Sequence, residues 1–147
     1  MNFEELMLRA VTNAETFKYT AKPNPVVGAI LCNDNEIISE GYHEIYGSNH
    51  AEINAISNAR KHQGKKFNNF SELALVCTLE PCSHVGKTGS CAEQIVETGI
   101  KKVVIGSIDP NPKVAGKGIE ILKKNGIDVT VGIHEDIVKN QNKYFFF

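Results

Sequence analysis

The sequence is poor in several things that would have set its function class. It has no tryptophan, only four cysteines among 147 residues, and a net charge of -1 from 16 basic and 17 acidic side chains. So even a balance supplies no basic field to hold a polynucleotide or an anionic lipid surface. No apolar run approaches the length needed to span a bilayer. The opening Met1-Asn2-Phe3-Glu4-Glu5 is acidic where an export signal is basic, so a cytoplasmic protein is expected. Cysteines at 32, 77, 82 and 91 are too sparse for a disulfide scaffold and read instead as core thiols, metal ligands or catalytic groups. What is present is a globular composition, 41% hydrophobic and 22% charged. Disorder is disfavoured, and the length suits one domain that buries about two thirds of its unfolded surface.

Phe3, Leu6, Met7, Ala10, Val11, Ala14 and Phe17 recur at three- and four-residue steps and predict a first helix, with Asn2 as its N-cap. Pro23 and Pro25 end it. Residues 26–31 and 36–42 read as a hairpin around Asn33-Asp34-Asn35. A second helix is expected over 50–62, turning Ile53, Ala55, Ile56 and Ala59 inward. Strands over 73–79, 102–107 and 127–132 alternate with helices over 90–98, 118–125 and 134–142. Gly99 suits a left-handed C-cap. A hairpin followed by βαβ crossovers implies a mixed sheet with helices on both faces.

His50-Ala51-Glu52 at a helix start, Pro81-Cys82 after a strand and Cys91 at the next helix start stand out. One imidazole and two thiolates suit Zn2+, and three protein ligands leave a position open for water, the pattern of a catalytic site. The helix start is expected to favour thiolate at Cys91. Each residue has a plainer role by itself. Glu52 follows Asn49 at capping-box spacing, His50 is a first-turn histidine, and lone cysteines are more often buried thiols than ligands. Together these readings weaken. His-x-Glu followed by Pro-Cys is the pattern of zinc deaminases, in which the Glu moves protons and is not a ligand. Cys32 and Cys77, inside apolar strands, read as core thiols.

That pattern normally has two residues between its cysteines, whereas residues 83–90 separate Cys82 from Cys91. With this gap the chain resembles the deaminase domain of riboflavin biosynthesis, a branch of the cytidine-deaminase-like enzymes. The resembling segments are Pro23-Asn24-Pro25-Val26-Val27-Gly28, Gly41-Tyr42-His43, His50-Ala51-Glu52-Ile53-Asn54-Ala55, Thr78-Leu79-Glu80-Pro81-Cys82-Ser83-His84-Val85-Gly86-Lys87-Thr88, and the run from Asp109 through Asn111 to Gly118. Gly89-Ser90 stands where the family usually has two prolines, with the ligand spacing kept.

The resemblance implies a three-layer α/β/α fold on a mixed five-stranded sheet, formed by residues 1–147 as a single zinc-dependent deaminase domain. It implies hydrolytic deamination of 2,5-diamino-6-(5-phosphoribosylamino)pyrimidin-4(3H)-one to 5-amino-6-(5-phosphoribosylamino)uracil, with release of ammonia. His50, Cys82 and Cys91 would be the zinc ligands and Glu52 the catalytic residue. Asn24, His43, His84, Lys87, Asp109 and Asn111 match the family's substrate contacts. Many relatives carry a reductase domain after this point. Tyr144-Phe145-Phe146-Phe147 resembles the approach to it, so either the reductase is separately encoded or the chain is a fragment. A homo-oligomer stays open.

Two other functions compete. A nucleic-acid base deaminase would share the metal chemistry, but the wide cysteine gap, the neutral charge and the lack of tryptophan oppose it. A structural zinc module would need a fourth ligand, for which His84 is the nearby candidate, and would leave Glu52 without a role.

Overall fold

The computed structural model describes residues 2–20, 25–44, 50–63, 70–83, 90–109, 112 and 115–143, the side chains at 62 and 63 excepted. Helix α1 (Phe3–Ala14) begins at Asn2, whose side chain accepts from the Glu4 and Glu5 amides. Strands β1 (Gly28–Cys32) and β2 (Ile37–Tyr42) form the hairpin. Its turn is held by the Asn33 side-chain Oδ1, which accepts from Asn35 and Glu36 N–H. There follow α2 (Ala51–Gln63), β3 (Ala74–Leu79), α3 (Cys91–Thr98), β4 (Lys102–Ser107), α4 (Lys117–Lys124), β5 (Asp128–Val131) and α5 (Glu135–Gln141). A short 3-10 turn at Phe70–Glu72, unanticipated, drops Phe70 into the core.

The sheet order is β2-β1-β3-β4-β5. β1 is antiparallel to both β2 and β3, while β3, β4 and β5 run parallel. Side chains alternate between the two faces except at the end of β3, where Leu79 departs from the side taken by Leu75 and Cys77. Ala29, Leu31, Leu75, Cys77, Val103 and Ile105 pack beneath α2, α3 and α4. Ile30, Cys32, Val76 and Val104 pack against α1, and Leu79 meets Val11 and Val138 on α1 and α5. This is the expected three-layer arrangement, with both cysteines of the strands serving as core thiols.

Two local features differ from expectation. β1 starts at Gly28 because the backbone of Val26 is bonded to the side chain of Asn142 and not to a strand. Ile53 is only half-buried, on the groove between α2 and α3, and the inward positions of that turn go to Ala51 and Glu52.

Helix α2 lies directly on β2. A Cβ on Gly41 would overlap the Ala55 nitrogen and the Ala51 carbonyl oxygen, so only glycine permits the approach. Asn54 and Asn58, one turn apart, donate to the carbonyls of Tyr42 and Glu40 at 2.7 and 2.8 Å, and Ser39 donates to the Ala55 carbonyl at 2.7 Å. These bonds fix the axial position of α2, and with it the residues at its start.

Candidate metal centre and active site

The site lies at the C-terminal ends of the parallel strands, where open α/β sheets hold their ligands. A cavity of about 170 Å³ there is bounded by Pro25 and Val27 before β1, His43 after β2, His50 and Glu52 at the start of α2, Leu79, Glu80 and Cys82 at the end of β3, and Asp109 after β4.

The backbone brings together three residues that are distant in sequence. His50 caps α2, its carbonyl accepting from Asn54 N–H, and Cys91 opens α3 after the N-cap Ser90. Cys82 follows β3, and its carbonyl accepts from Ala92 N–H at 3.1 Å, which pins it to the start of α3. His50 Nδ1 lies 3.1 Å from Cys91 Sγ and 3.7 Å from Cys82 Sγ, and all three ligand atoms fall within 4.8 Å of one another. A tetrahedral zinc with ordinary Zn–N and Zn–S bonds requires N···S edges of about 3.6 Å. The donor set fits the ion, and these residues could hold it.

Contrary to expectation, the start of α3 does not favour thiolate at Cys91. The Cys91 N–H points at Cys82 Sγ, 3.3 Å away, so the helix start serves Cys82 and not Cys91. Cys82 is drawn down to about 4, first by its hydrogen bond with the Cys91 thiol and then by His50 and the Cys91 amide. Cys91 is pushed up by the same bond and by burial. The pair gives up one proton readily and resists losing a second, and a dication among them supplies the charge that favours the second loss. His50 is raised, chiefly by its bond to Cys82.

Glu52 is 3% exposed, and burial lifts its carboxyl to about 7 against the opposing pull of His50. Such a group can hold or release a proton near neutrality. His43 is also buried, and its ring meets that of His50 edge-on at 5.4 Å and 81°, fixing the imidazole plane from the side. Of the six residues expected to contact substrate, His43 and Asp109 thus border the cavity. Asn24, His84, Lys87 and Asn111 lie outside the described residues.

Sequence reasoning passed over Glu80. It is 8% exposed, and its carboxylate accepts four backbone N–H groups, from Asp109, Gly116, Gly118 and Ile119. The available signal was a charged residue closing an otherwise apolar strand.

Residues 1–107 match the family model for the cytidine and deoxycytidylate deaminase zinc-binding region. The chain belongs to this family. Among its deaminase relatives, the diaminohydroxyphosphoribosylamino-pyrimidine deaminase of Buchnera aphidicola subsp. Schizaphis graminum is 44% identical over 140 residues, 95% of this chain and 90% of the relative. The riboflavin biosynthesis protein RibD of Escherichia coli is 39% identical over 145 residues, 99% of this chain but 38% of that protein. In structure, the diaminohydroxyphosphoribosylaminopyrimidine deaminase/5-amino-6-(5-phosphoribosylamino)uracil reductase of Thermotoga maritima matches with a TM-score of 0.88 and 44% identity, over 97% of this chain and 40% of that one. The chain therefore spans most of the Buchnera deaminase and less than half of the two longer relatives.

Proposed function

We propose that the chain is a zinc-dependent deaminase acting on 2,5-diamino-6-(5-phosphoribosylamino)pyrimidin-4(3H)-one, releasing ammonia to give 5-amino-6-(5-phosphoribosylamino)uracil. The observation that carries the reading is a buried carboxylate, Glu52, sharing one cavity with His50, Cys82 and Cys91. The identity to the Buchnera deaminase along nearly the whole chain supports the substrate class.

His50, Cys82 and Cys91 would hold the ion. Zinc in such a site lowers the pKa of a bound water to about 7 and so supplies a nucleophile at neutral pH. Glu52 accepts the proton of the attacking water and passes it to a ring nitrogen, then takes the proton of the hydroxyl added to the ring carbon and gives it to the departing amine as the carbonyl forms. Burial serves this work by leaving the carboxyl no competing water. His43 keeps the His50 ring in its plane, and Asp109 offers a carboxylate to the sugar hydroxyls. By resemblance, Lys87 meets the phosphate and Asn24, His84 and Asn111 complete the substrate contacts. The substrate is a small phosphorylated pyrimidine, and the chain works in the cytoplasm beside a reductase that consumes its product. No helix among the described residues is long and apolar enough to cross a membrane.

Zinc-loaded full-length chain, incubated with the phosphorylated diaminopyrimidine, is expected to release one ammonia per product formed. Absence of turnover there, with deamination of a tRNA loop instead, would overturn the reading.

A further inference from the structure

Three carboxylates border the cavity, those of Glu52, Glu80 and Asp109, and Glu80 is engaged unlike the proton-carrying Glu52. Both oxygens of Glu80 are turned away from any reacting group by the bonds they accept. Oε1 takes the Asp109 and Gly116 N–H at 2.9 and 3.0 Å, and Oε2 takes the Gly118 and Ile119 N–H at 2.9 and 3.3 Å. A carboxylate has about four lone-pair directions, and here all are used. The four amides come from both ends of the connection between β4 and α4.

The contact is close on its other side as well. A Cβ on Gly118 would overlap the Pro81 carbonyl oxygen, so the start of α4 rests on the residue that separates Glu80 from Cys82. Gly116, with φ +82°, makes the left-handed turn that aims its N–H at the carboxylate. One side chain thereby joins the strand end that carries a candidate ligand to the segment that carries Asp109.

We propose that Glu80 is a positioning residue for substrate: its carboxylate holds Asp109 and the Gly116–Ile119 start of α4 against the Cys82 strand end, so that the Asp109 border of the cavity is formed before substrate arrives. It touches no reacting atom. Its effect falls on substrate affinity and not on the chemical step, which Glu52 carries. The proposal rests on the deaminase reading given above.

Glu80→Gln replaces one acceptor oxygen with a donor that faces two N–H groups. It is expected to keep its zinc content and kcat while KM for the phosphorylated pyrimidine rises about tenfold to hundredfold, the worth of charge-assisted hydrogen bonds. Gly116→Ala strains the same segment from its exposed side and is expected to raise KM in the same sense, which covers a Glu80 variant that fails to fold. In the parent, the amides of Asp109 and Gly116, outside regular structure, are expected to exchange slowly with solvent, and in Glu80→Gln quickly. Unprotected amides in the parent, or variant kinetics equal to the parent's, would overturn the proposal. So would a loss of kcat at unchanged KM, which would make Glu80 an acid or base itself. If the parent releases no ammonia at all, the deaminase reading falls, while the four amides still report whether Glu80 holds the segment.

Discussion

Asn142 and Val26, 116 positions apart, exchange two hydrogen bonds: Val26 N–H donates to Asn142 Oδ1 at 2.8 Å, and Asn142 Nδ2 donates to the Val26 carbonyl at 3.0 Å. The side-chain amide of a residue just past α5 thus stands in for a strand partner beside Pro25, one wall of the cavity. Asn142 is 1% exposed, so no water replaces it easily.

Asn142→Ala should therefore cost stability and affinity together. Leaving a buried N–H and C=O unpaired costs about 2 kcal/mol or more. In a chain of this size that lowers the melting temperature by about 4 to 8 °C. Calorimetry reads the first effect and KM the second. A variant as stable as the parent would show that Val26 finds other partners.

Cys82→Ser is expected to lose zinc and much of its folded population, since the ion would tie three separate segments together. Cys32→Ala and Cys77→Ala should keep their metal and lose only core packing, both thiols being buried in strands. Metal analysis of the three purified variants decides it, and full zinc content in Cys82→Ser would remove that residue from the ligand set.

Glu52→Gln keeps the shape of the side chain and removes its proton chemistry. Zinc binding and fold should persist while turnover falls by about a hundred- to ten-thousandfold. Near-normal turnover would exclude Glu52 as the proton carrier, and loss of zinc would make it a ligand or a structural cap.

Glu40 and Tyr42 predict opposite pH dependences from one cluster. The Glu40 carboxyl lies below its usual value, first through its hydrogen bond from Arg9. The native state therefore favours the ionised form. Its contribution is full above the ordinary carboxylate range and is lost as pH falls through the lowered value. The Tyr42 phenol is pushed up to about 12, first by burial and then by its bond to Glu40. That contribution is full below about 10 and is lost as pH rises toward 12. Denaturant titrations should show the parent's advantage over Glu40→Gln shrinking in acid, and its advantage over Tyr42→Phe shrinking in strong alkali. An advantage independent of pH in either pair would contradict the assignment.

Much of this molecule could be read from its sequence because apolar periodicity marks element type and most inward faces. β4 was expected at 102–107 and is found at Lys102–Ser107, since the short run with Val103, Val104 and Ile105 favours a buried strand. The approach of His50, Cys82 and Cys91 was legible because their residue types announce their chemistry. Glu80 was not, because its partners are backbone N–H groups, which every residue but proline carries and no residue letter marks. Asn142 was invisible for the same reason. The expectation for thiolate at Cys91 failed on direction: a helix terminus favours whichever sulfur its N–H points to, and that is Cys82. Asn24, His84, Lys87 and Asn111 fall outside the described residues and keep the standing that the resemblance gave them.

The bare contact at Gly41 has a consequence for redesign. Between α2 and β2 at that point there is only main chain, so no side chain can be trimmed or enlarged to slide the helix. Selection for a larger or smaller heterocycle will therefore find no freedom at Gly41 itself to shift the start of α2 that carries His50 and Glu52. Adjustments are better sought around Pro25 and Asp109, where the enclosing backbone is held by the side chains of Asn142 and Glu80. Libraries at Pro25, Asp109 and their neighbours, with Asn142 and Glu80 kept, would explore that rim and leave the start of α2 untouched.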